Sequence, residues 1–445
     1  MKRSPWRYIW KSEGIRNRLL LTLGILVIYR LIANIPVPGF NAQVINALNS
    51  SRSAAGDLIS ILNVLSGGTL SSFSILAMGV YPYITASIIL QLLGPIIPSI
   101  QEKLKNDPKE GRKWMEKWTM YLSIPLAFLS AIGQIGLFNQ ILPGVTVLKE
   151  YGWSGSNLLP TLANVLTMIA GTMIAIWLGQ IISEYGIQQQ GLSLIIFSGI
   201  VSQLPANLVR MLANFSSGWY ILIFSIIIFL VSIFAIVYLQ QGTRYVKLMI
   251  PGQRLGYRGV KSGGSTTLPL RVNSVGMIPL IFAQSLITFP ALIASFFVNS
   301  STPWVANTAN WIQNHFSGGG VFYVVLYFIL VVAFTFFYTS VTFMNNDYGE
   351  NLKKQGAVVP GRAPGTDTQN YLAKIQDRIT LPGAVFLGLI AILPYILGAI
   401  FQTSANSTML LSSSGLLIVV GCVRDILDYL ESELNQRGYD EKLIR

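Results

Sequence analysis

The sequence predicts an all-α polytopic membrane protein of about ten transmembrane helices, with one short plug-like helix. Three observations predict it. Of the 445 residues, 52% are hydrophobic and only 11% are charged, against about 25% charged in a soluble protein. Apolar runs of the roughly 20 residues needed to cross a bilayer recur from Leu19 to Val423. The basic residues collect in alternate connections between those runs.

In chain order, MKRSPWRYIWKSEG (residues 1–18 with IRNR) is basic and lacks a small-residue cleavage site after an apolar core. It reads as a cytosolic head rather than a removed signal peptide. Apolar length and flanks then place spans at Leu19–Ile35, Phe73–Leu93, Trp118–Phe138, Leu158–Ile182, Leu192–Leu212, Trp219–Leu239, Val272–Val298, Val321–Met344, Leu381–Phe401 and Met409–Leu427. The chain so divides into a first half over 19–212, span 6 over 213–239, a loop over 240–271, spans 7 and 8 over 272–344, a loop over 345–380, spans 9 and 10 over 381–427 and a tail over 428–445.

Charge sets the orientation. Of 31 Lys and Arg, 27 fall on the side of the two termini, three fall opposite (Arg52, Lys149 and Arg210), and Arg30 lies within span 1. That bias predicts cytosolic termini and an even number of spans. The net charge of +13 is the bias itself, a basic docking face for a partner, or both. Arg30 lies past the middle of span 1, so snorkelling to the far interface accounts for it. Pro36 and Pro38 then stop the helix.

Between spans 1 and 2 lies a short apolar piece, Asp57 to Leu65, closed by Gly67 and Gly68. It can enter a membrane but cannot cross one. A short apolar helix hinged to a full span belongs in a protein cavity, because irregular backbone at membrane depth needs protein or enclosed water around it. The plug assignment covers Asp57, Leu58, Ile59, Ile61, Leu62, Val64, Leu65, Gly67 and Gly68. Span 5 opens on GIQQQG (Gly186 to Gly191) without Lys or Arg, which suits either the mouth of an aqueous vestibule or a plain short loop.

Two connections are long, Gln240 to Leu270 and Asn345 to Thr380. Long connections without periodic structure are usually functional or disordered. RYVKLMIPGQRLGYRGVKSGGST (Arg244 to Thr266) is basic with interleaved aromatics, and both loops carry hairpin-like Pro/Gly punctuation. Together they predict one protruding basic surface. Its candidate docking residues are Arg244, Lys247, Arg254, Arg258, Lys261, Lys353, Lys354 and Arg362.

The chemistry is sparse. Cys422 is the only cysteine and His315 the only histidine, so no internal disulfide forms and little metal or acid–base chemistry is on offer. No GxxxxGK[ST], HExxH or carboxylate pair within a span occurs. From Leu19 to Val423 every Asp and Glu lies in a loop, in the plug-like segment or at a span end. Ion-coupled transporters normally carry intramembrane acidic or similar groups. A secondary transporter built from two repeats is therefore the weaker reading, and an anchoring scaffold leaves the plug and hinge unexplained. No enzyme activity and no cofactor are expected.

Four stretches carry a family resemblance. LSGGTLSSFSILAMGVYPYITASIILQLL (Leu65 to Leu93) resembles the plug and second span of the SecY family, the channel subunit of the bacterial Sec translocase. IRNRLLLTLGILVIYRLIANIPVPG (Ile15 to Gly39), STTLPLRVNSVGMIPLIFAQSLITFPALIASFF (Ser265 to Phe297) and SGLLIVVGCVRDILDYLESEL (Ser414 to Leu434) resemble its first, seventh and tenth spans. The resemblance runs end to end in order and spacing. It implies two pseudo-symmetric five-helix halves around a central pore in a bacterial plasma membrane. It also implies passage of unfolded polypeptide and sideways release of apolar segments into membrane lipid. Partners implied are SecE-type and SecG-type subunits, the SecA motor ATPase, the ribosome, signal sequences and nascent polypeptides.

The family's constriction carries over to Val80 and Ile84 in span 2, Leu192 and Ile196 in span 5, Ile281 in span 7 and Ile418 in span 10. Span 5 aligns with one inserted residue in its QQQG stretch. The pairs Val80/Ile84 and Leu192/Ile196 each have i, i+4 spacing, one helix face. An apolar ring blocks water and ions by dewetting yet yields to any sequence, since it forms no specific bonds. The lateral gate carries over to Thr85, Ser130 and Gln284; Ser130 stands where relatives often have a larger amide. One loop departs from the family's Pro-Gly-Ile/Val-Arg-Pro-Gly. Here Pro360-Gly361-Arg362-Ala363-Pro364-Gly365 moves the arginine one place earlier. Either Arg362 still reaches the motor or ribosome, or the task has shifted to Lys353, Lys354, Arg254 or Arg258.

Overall fold

A computed structural model describes residues 12–41, 73–97, 100, 108–141, 148, 152, 157–188, 190–213, 215–250, 254–255, 259–260, 264–273, 276, 278–298, 302–316, 320–345, 347–401 and 413–436. The plug stretch Asp57 to Gly68 lies outside the described residues, as do Arg258 and Lys261. Each predicted span is matched by a helix. These are α1 (Glu13–Ile32), α2 (Tyr81–Ile96), α3 (Pro108–Ile141), α4 (Leu158–Tyr185), α5 (Gly191–Ala213), α6 (Phe215–Gln241), α7 (Ile278–Ser295), α9 (Val321–Asn345), α11 (Thr366–Phe401) and α12 (Ser413–Gln436). Among the described residues, α8 (Pro303–Phe316) and α10 (Tyr348–Lys354) are additional. Among the described residues, five stretches, in α3, α4, α7, α9 and α11, are long and apolar enough to cross a membrane unaided, and α2, α5 and α6 contribute shorter apolar helices.

The chain forms two compact units, residues 1–229 with 284–324 and 394–445, and residues 230–283 with 325–393. In the first unit, α1 starts at Glu13 after an extended Ser12 and ends with Arg30 in its last turn. The acidic start and basic end both complement the helix dipole. Pro36 forces Ile35 out of the helical region, and the chain turns into a short backbone ladder. Val37 N donates to Phe73 O (3.1 Å), and Ile75 N donates to Ile35 O (2.9 Å).

The predicted helical start at Phe73 is corrected here. Residues 73–80 are a chain of turns, with Phe73 at φ 42° and Gly79 at φ 52°. The α2 helix starts only at Tyr81, where Pro82 fits the first turn. At roughly 24 Å, α2 is shorter than the ~30 Å hydrocarbon layer. The turns that complete the passage are buried in protein: Phe73, Leu76, Ala77 and Met78 are inaccessible to solvent. This is the condition under which irregular backbone is stable at membrane depth. The same core takes in Val37, Ala127, Ala131, Ile135 and Phe138. The small pair Ala127/Ala131 on α3 lets backbones approach closely. Phe73 stacks on Phe40 at 5.4 Å and meets Phe138 edge-on at 5.3 Å. On α4, Gly171 faces the carbonyl oxygen of Ile75, leaving no room for a Cβ.

In the second unit, the hairpin-like punctuation of the first long connection corresponds to an antiparallel ribbon. Strands β1 (Thr243–Ile250) and β4 (Gly264–Arg271) pair antiparallel from Thr243↔Arg271 to Ile250↔Gly264, and β2 (Arg254–Leu255) pairs with β3 (Gly259–Val260). This ribbon is the departure from an all-helical chain. Alternation puts Val246 and Leu248 inward and Lys247 outward. The other long loop folds into α10 and the leading turns of α11, which starts at Thr366 rather than Leu381. Leu372, Ile375 and Ile379 follow helical spacing. They pack with Val246, Leu248, Leu270, Phe343, Leu352 and Val359 into a separate core. A reciprocal backbone pair at 2.8 Å between Met249 and Val358 joins the two loops.

Candidate functional site

Span 2 positions the first two candidate ring residues. Val80 is buried and caps α2, its carbonyl accepting from Ile84 N at 3.1 Å; Ile84 is half-buried one turn on. Leu192 and Ile196 lie in the first two turns of α5, with Ile196 buried and Leu192 half-buried against Gly179 of α4. Ile418 is buried on α12, which packs against α5. The first unit thus brings span 5 together with spans 4 and 10. Ile281 is buried on α7 in the part belonging to the second unit.

The candidate gate residues Thr85, Ser130 and Gln284 share one unit. Thr85 is buried and donates to Tyr81 O (3.1 Å), an intrahelical bond. Ser130 on α3 and Gln284 on α7 are both buried, and the Gln284 carbonyl accepts from Thr288 Oγ1 at 2.8 Å. Span 3 packs against span 2, and it meets span 7 where Gly133 faces Leu292. Sequence reasoning missed Gln134. This residue is buried, and its Oε1 accepts no hydrogen bond among the described residues. It lies one turn from Ser130 on the same helix. The i, i+4 spacing of Ser130 and Gln134 was the available signal.

The basic surface is built on the second unit. Arg244 and Lys247 are exposed on β1, and Lys353 and Lys354 are exposed in the last turn of α10. Arg254 lies on β2. The Val359–Pro360–Gly361–Arg362 turn is closed by Arg362 N donating to Val359 O (3.1 Å), with Gly361 at φ 78°. That turn requires a positive φ at its third residue, hence glycine. Arg362 itself is 46% exposed, folded back 3.9 Å from Asp367 and over the ring of Tyr371 at 4.9 Å. At the chain's two ends, Arg18 donates to Tyr429 OH (2.6 Å) and reaches Glu433 (3.4 Å), beside an apolar contact of Ile15 with Leu430 and Leu434.

These elements define a polytopic helical membrane protein whose second span begins in a buried turn and whose long loops form a basic, separately cored body. The SecY family profile matches residues 74–427. The protein translocase subunit SecY of Streptomyces griseus is 37% identical over 97% of each chain, and that of Thermotoga maritima is 35% identical over 97% of this chain and 95% of its own. This chain belongs to the SecY family. Its fold is like that of a solved protein-conducting channel (TM-score 0.64, 18% identity, 94% of this chain and 92% of that one). It is also like a SecY channel studied for its plug domain, described as stabilising the closed state and maintaining a membrane seal (TM-score 0.61, 18%, 94% and 92%). Sec61 of a canine ribosome–channel complex from the endoplasmic reticulum shares the fold too (TM-score 0.59, 18%, 94% and 92%).

Proposed function

We propose that this chain is the protein-conducting channel subunit of a bacterial Sec translocase in the plasma membrane. It passes unfolded polypeptides across the bilayer and releases apolar segments sideways into lipid, as two halves around a pore. The observation that carries this is kinship with SecY over nearly the whole chain. SecE-type and SecG-type subunits complete the channel, and SecA or a translating ribosome docks on the basic body. Reconstitution of the chain with such subunits and SecA should render a secretory precursor protease-protected in an ATP-dependent way. Protection equal to that of empty vesicles would refute the assignment.

The ring Val80, Ile84, Leu192, Ile196, Ile281 and Ile418 seals the resting pore, with Asp57 to Gly68 as plug on its outer side. The buried turn ahead of α2 supports this, since it redirects the chain between plug and span. Ile418→Asn or Ile84→Asn should relax signal-sequence selectivity by wetting the ring. Deleting Asp57 to Leu65 should raise resting conductance in planar bilayers; conductance unchanged from the intact chain removes the plug from the account.

Both termini and the loops after spans 2, 6 and 8 face the cytosol. In a Cys422→Ser background, an impermeant maleimide added outside should label Ser300→Cys and spare Ser262→Cys. Outside labelling at 262 overturns the topology.

A further inference from the structure

The helix α8 lies between spans 7 and 8 and was not anticipated from apolar length. It is 14 residues, PWVANTANWIQNHF, without a single Asp, Glu, Lys or Arg. At roughly 21 Å it is too short to cross a bilayer. It nonetheless exposes two large indoles, Trp304 at 77% and Trp311 at 54%.

Three faces emerge at about 100° per residue. The inner face carries Val305, Ala309, Ile312 and Phe316. Ala309 is buried, and Phe316 packs against the core that holds Phe73 and Phe138. Opposite to it runs an amide stripe of Asn307, Asn310 and Asn314, all exposed. Between the two lie Trp304 and Trp311, seven residues apart and nearly in line, with His315 stacked on Trp311 at 4.4 Å. An ordinary surface helix needs only the first two faces.

The indole stripe continues into the ends of the flanking spans. Trp311 lies 6.5 Å from Phe322 in the first turn of α9, and Phe316 lies 5.6 Å from the same ring. Phe296 and Phe297 just after α7 are exposed, as are Val321 and Phe322 at the start of α9. Both flanking helices are long and apolar enough to cross the membrane. A tryptophan pair level with two span ends, uncharged and turned 90° or so from a hydrated amide stripe, matches what an interfacial helix offers to a bilayer. Indole places its apolar body among acyl carbons while its N–H stays at the wet boundary.

We propose that α8 is an interfacial membrane helix, held to the protein by its inner face and bedded through Trp304 and Trp311 in the headgroup layer where α7 ends and α9 begins. Its occupant is phospholipid. The consequence is mechanical: the ends of spans 7 and 8 are tethered to one bilayer depth by a helix that cannot leave the interface without hydrating two indoles. The inference needs α7 and α9 to cross the membrane and is independent of what the chain conducts.

The test uses the full chain in phosphatidylcholine–phosphatidylglycerol vesicles, carrying Cys422→Ser and one nitroxide at position 304, 311, 310 or 314. Power saturation against oxygen and a water-soluble nickel chelate should give oxygen-favoured collisions at 304 and 311 and chelate-favoured collisions at 310 and 314. Chelate access at 304 and 311 equal to that at 310 and 314 would show a helix in water and overturn the proposal. Spin–spin broadening at 304 that vanishes on dilution with unlabelled chain would show a second copy there, and overturns it equally. Because labelling replaces the indoles, native tryptophans supply the second measurement. Other tryptophans, such as Trp118 and Trp177, are exposed on spans and respond to brominated lipid as well, so the difference between the parent and Trp304→Phe/Trp311→Phe is read. The emission lost with the two indoles should itself be quenched by brominated lipid; if the lost emission is unquenched, the indoles are not in the bilayer.

Discussion

Arg362→Glu should reduce SecA-driven precursor transport by at least about tenfold, with Lys353→Glu and Arg258→Glu milder. A hydrogen bond to a charged group contributes about 1.5–3 kcal/mol, or roughly ten- to a hundredfold in an equilibrium. Reversal also adds repulsion. Among the described residues, the Arg362 side chain is held by Asp367 at 3.9 Å and by the Tyr371 face at 4.9 Å. An exposed pair of this kind holds about 0–1 kcal/mol, so a docking motor can draw the guanidinium away at little cost. Its long stem absorbs the one-residue shift of this loop. Asp367→Asn releases the arginine from its ion pair and should leave transport intact or slightly faster. Normal transport by Arg362→Glu would pass the task to Lys353, Lys354, Arg254 or Arg258.

Gly171→Ala should destabilise the protein and make the resting channel leak. A Cβ at Gly171 would run into the backbone carbonyl of Ile75. A flexible side chain could swing aside, but a carbonyl inside the turn ahead of α2 cannot. Alanine gains about 1 kcal/mol of helix propensity over glycine, and overpacking against fixed backbone costs typically 1–3 kcal/mol, so the clash wins. Gly136→Ala is the control, because nothing lies within 4 Å of its Cβ position. The melting temperature of Gly171→Ala should fall below that of Gly136→Ala by several degrees, with raised bilayer conductance. Equal melting temperatures for the two variants would show that the turn yields freely.

The spans were legible because crossing a bilayer demands apolar length, a property of each segment alone. Leu158–Ile182 and Val321–Met344 needed no partner to be recognised, and α4 and α9 match them within a few residues. The alternation of Lys and Arg likewise needs only counting. The candidate ring positions Val80, Ile84, Leu192, Ile196, Ile281 and Ile418 rest on resemblance, and how deeply each is buried is not written along the chain. The burial of Gln134 is not legible, because a single amide in an apolar run signals nothing until its helix is packed.

What the sequence by itself determined was therefore the membrane class, the order of the spans, the charge asymmetry and the Pro/Gly punctuation of the loops. Only the tertiary structure decided that residues 73–80 turn instead of continuing α2, because that backbone is stabilised by Ile35, Val37 and α4, far away in the chain. Only it decided that two loops separated by a pair of spans share one core through Val246, Leu372 and the Met249–Val358 bridge. Apolar length and charge act locally, so they are written along the chain. Burial of a turn, a shared core and the two-faced setting of Trp304 and Trp311 depend on which surfaces meet, and that exists only once the chain has folded.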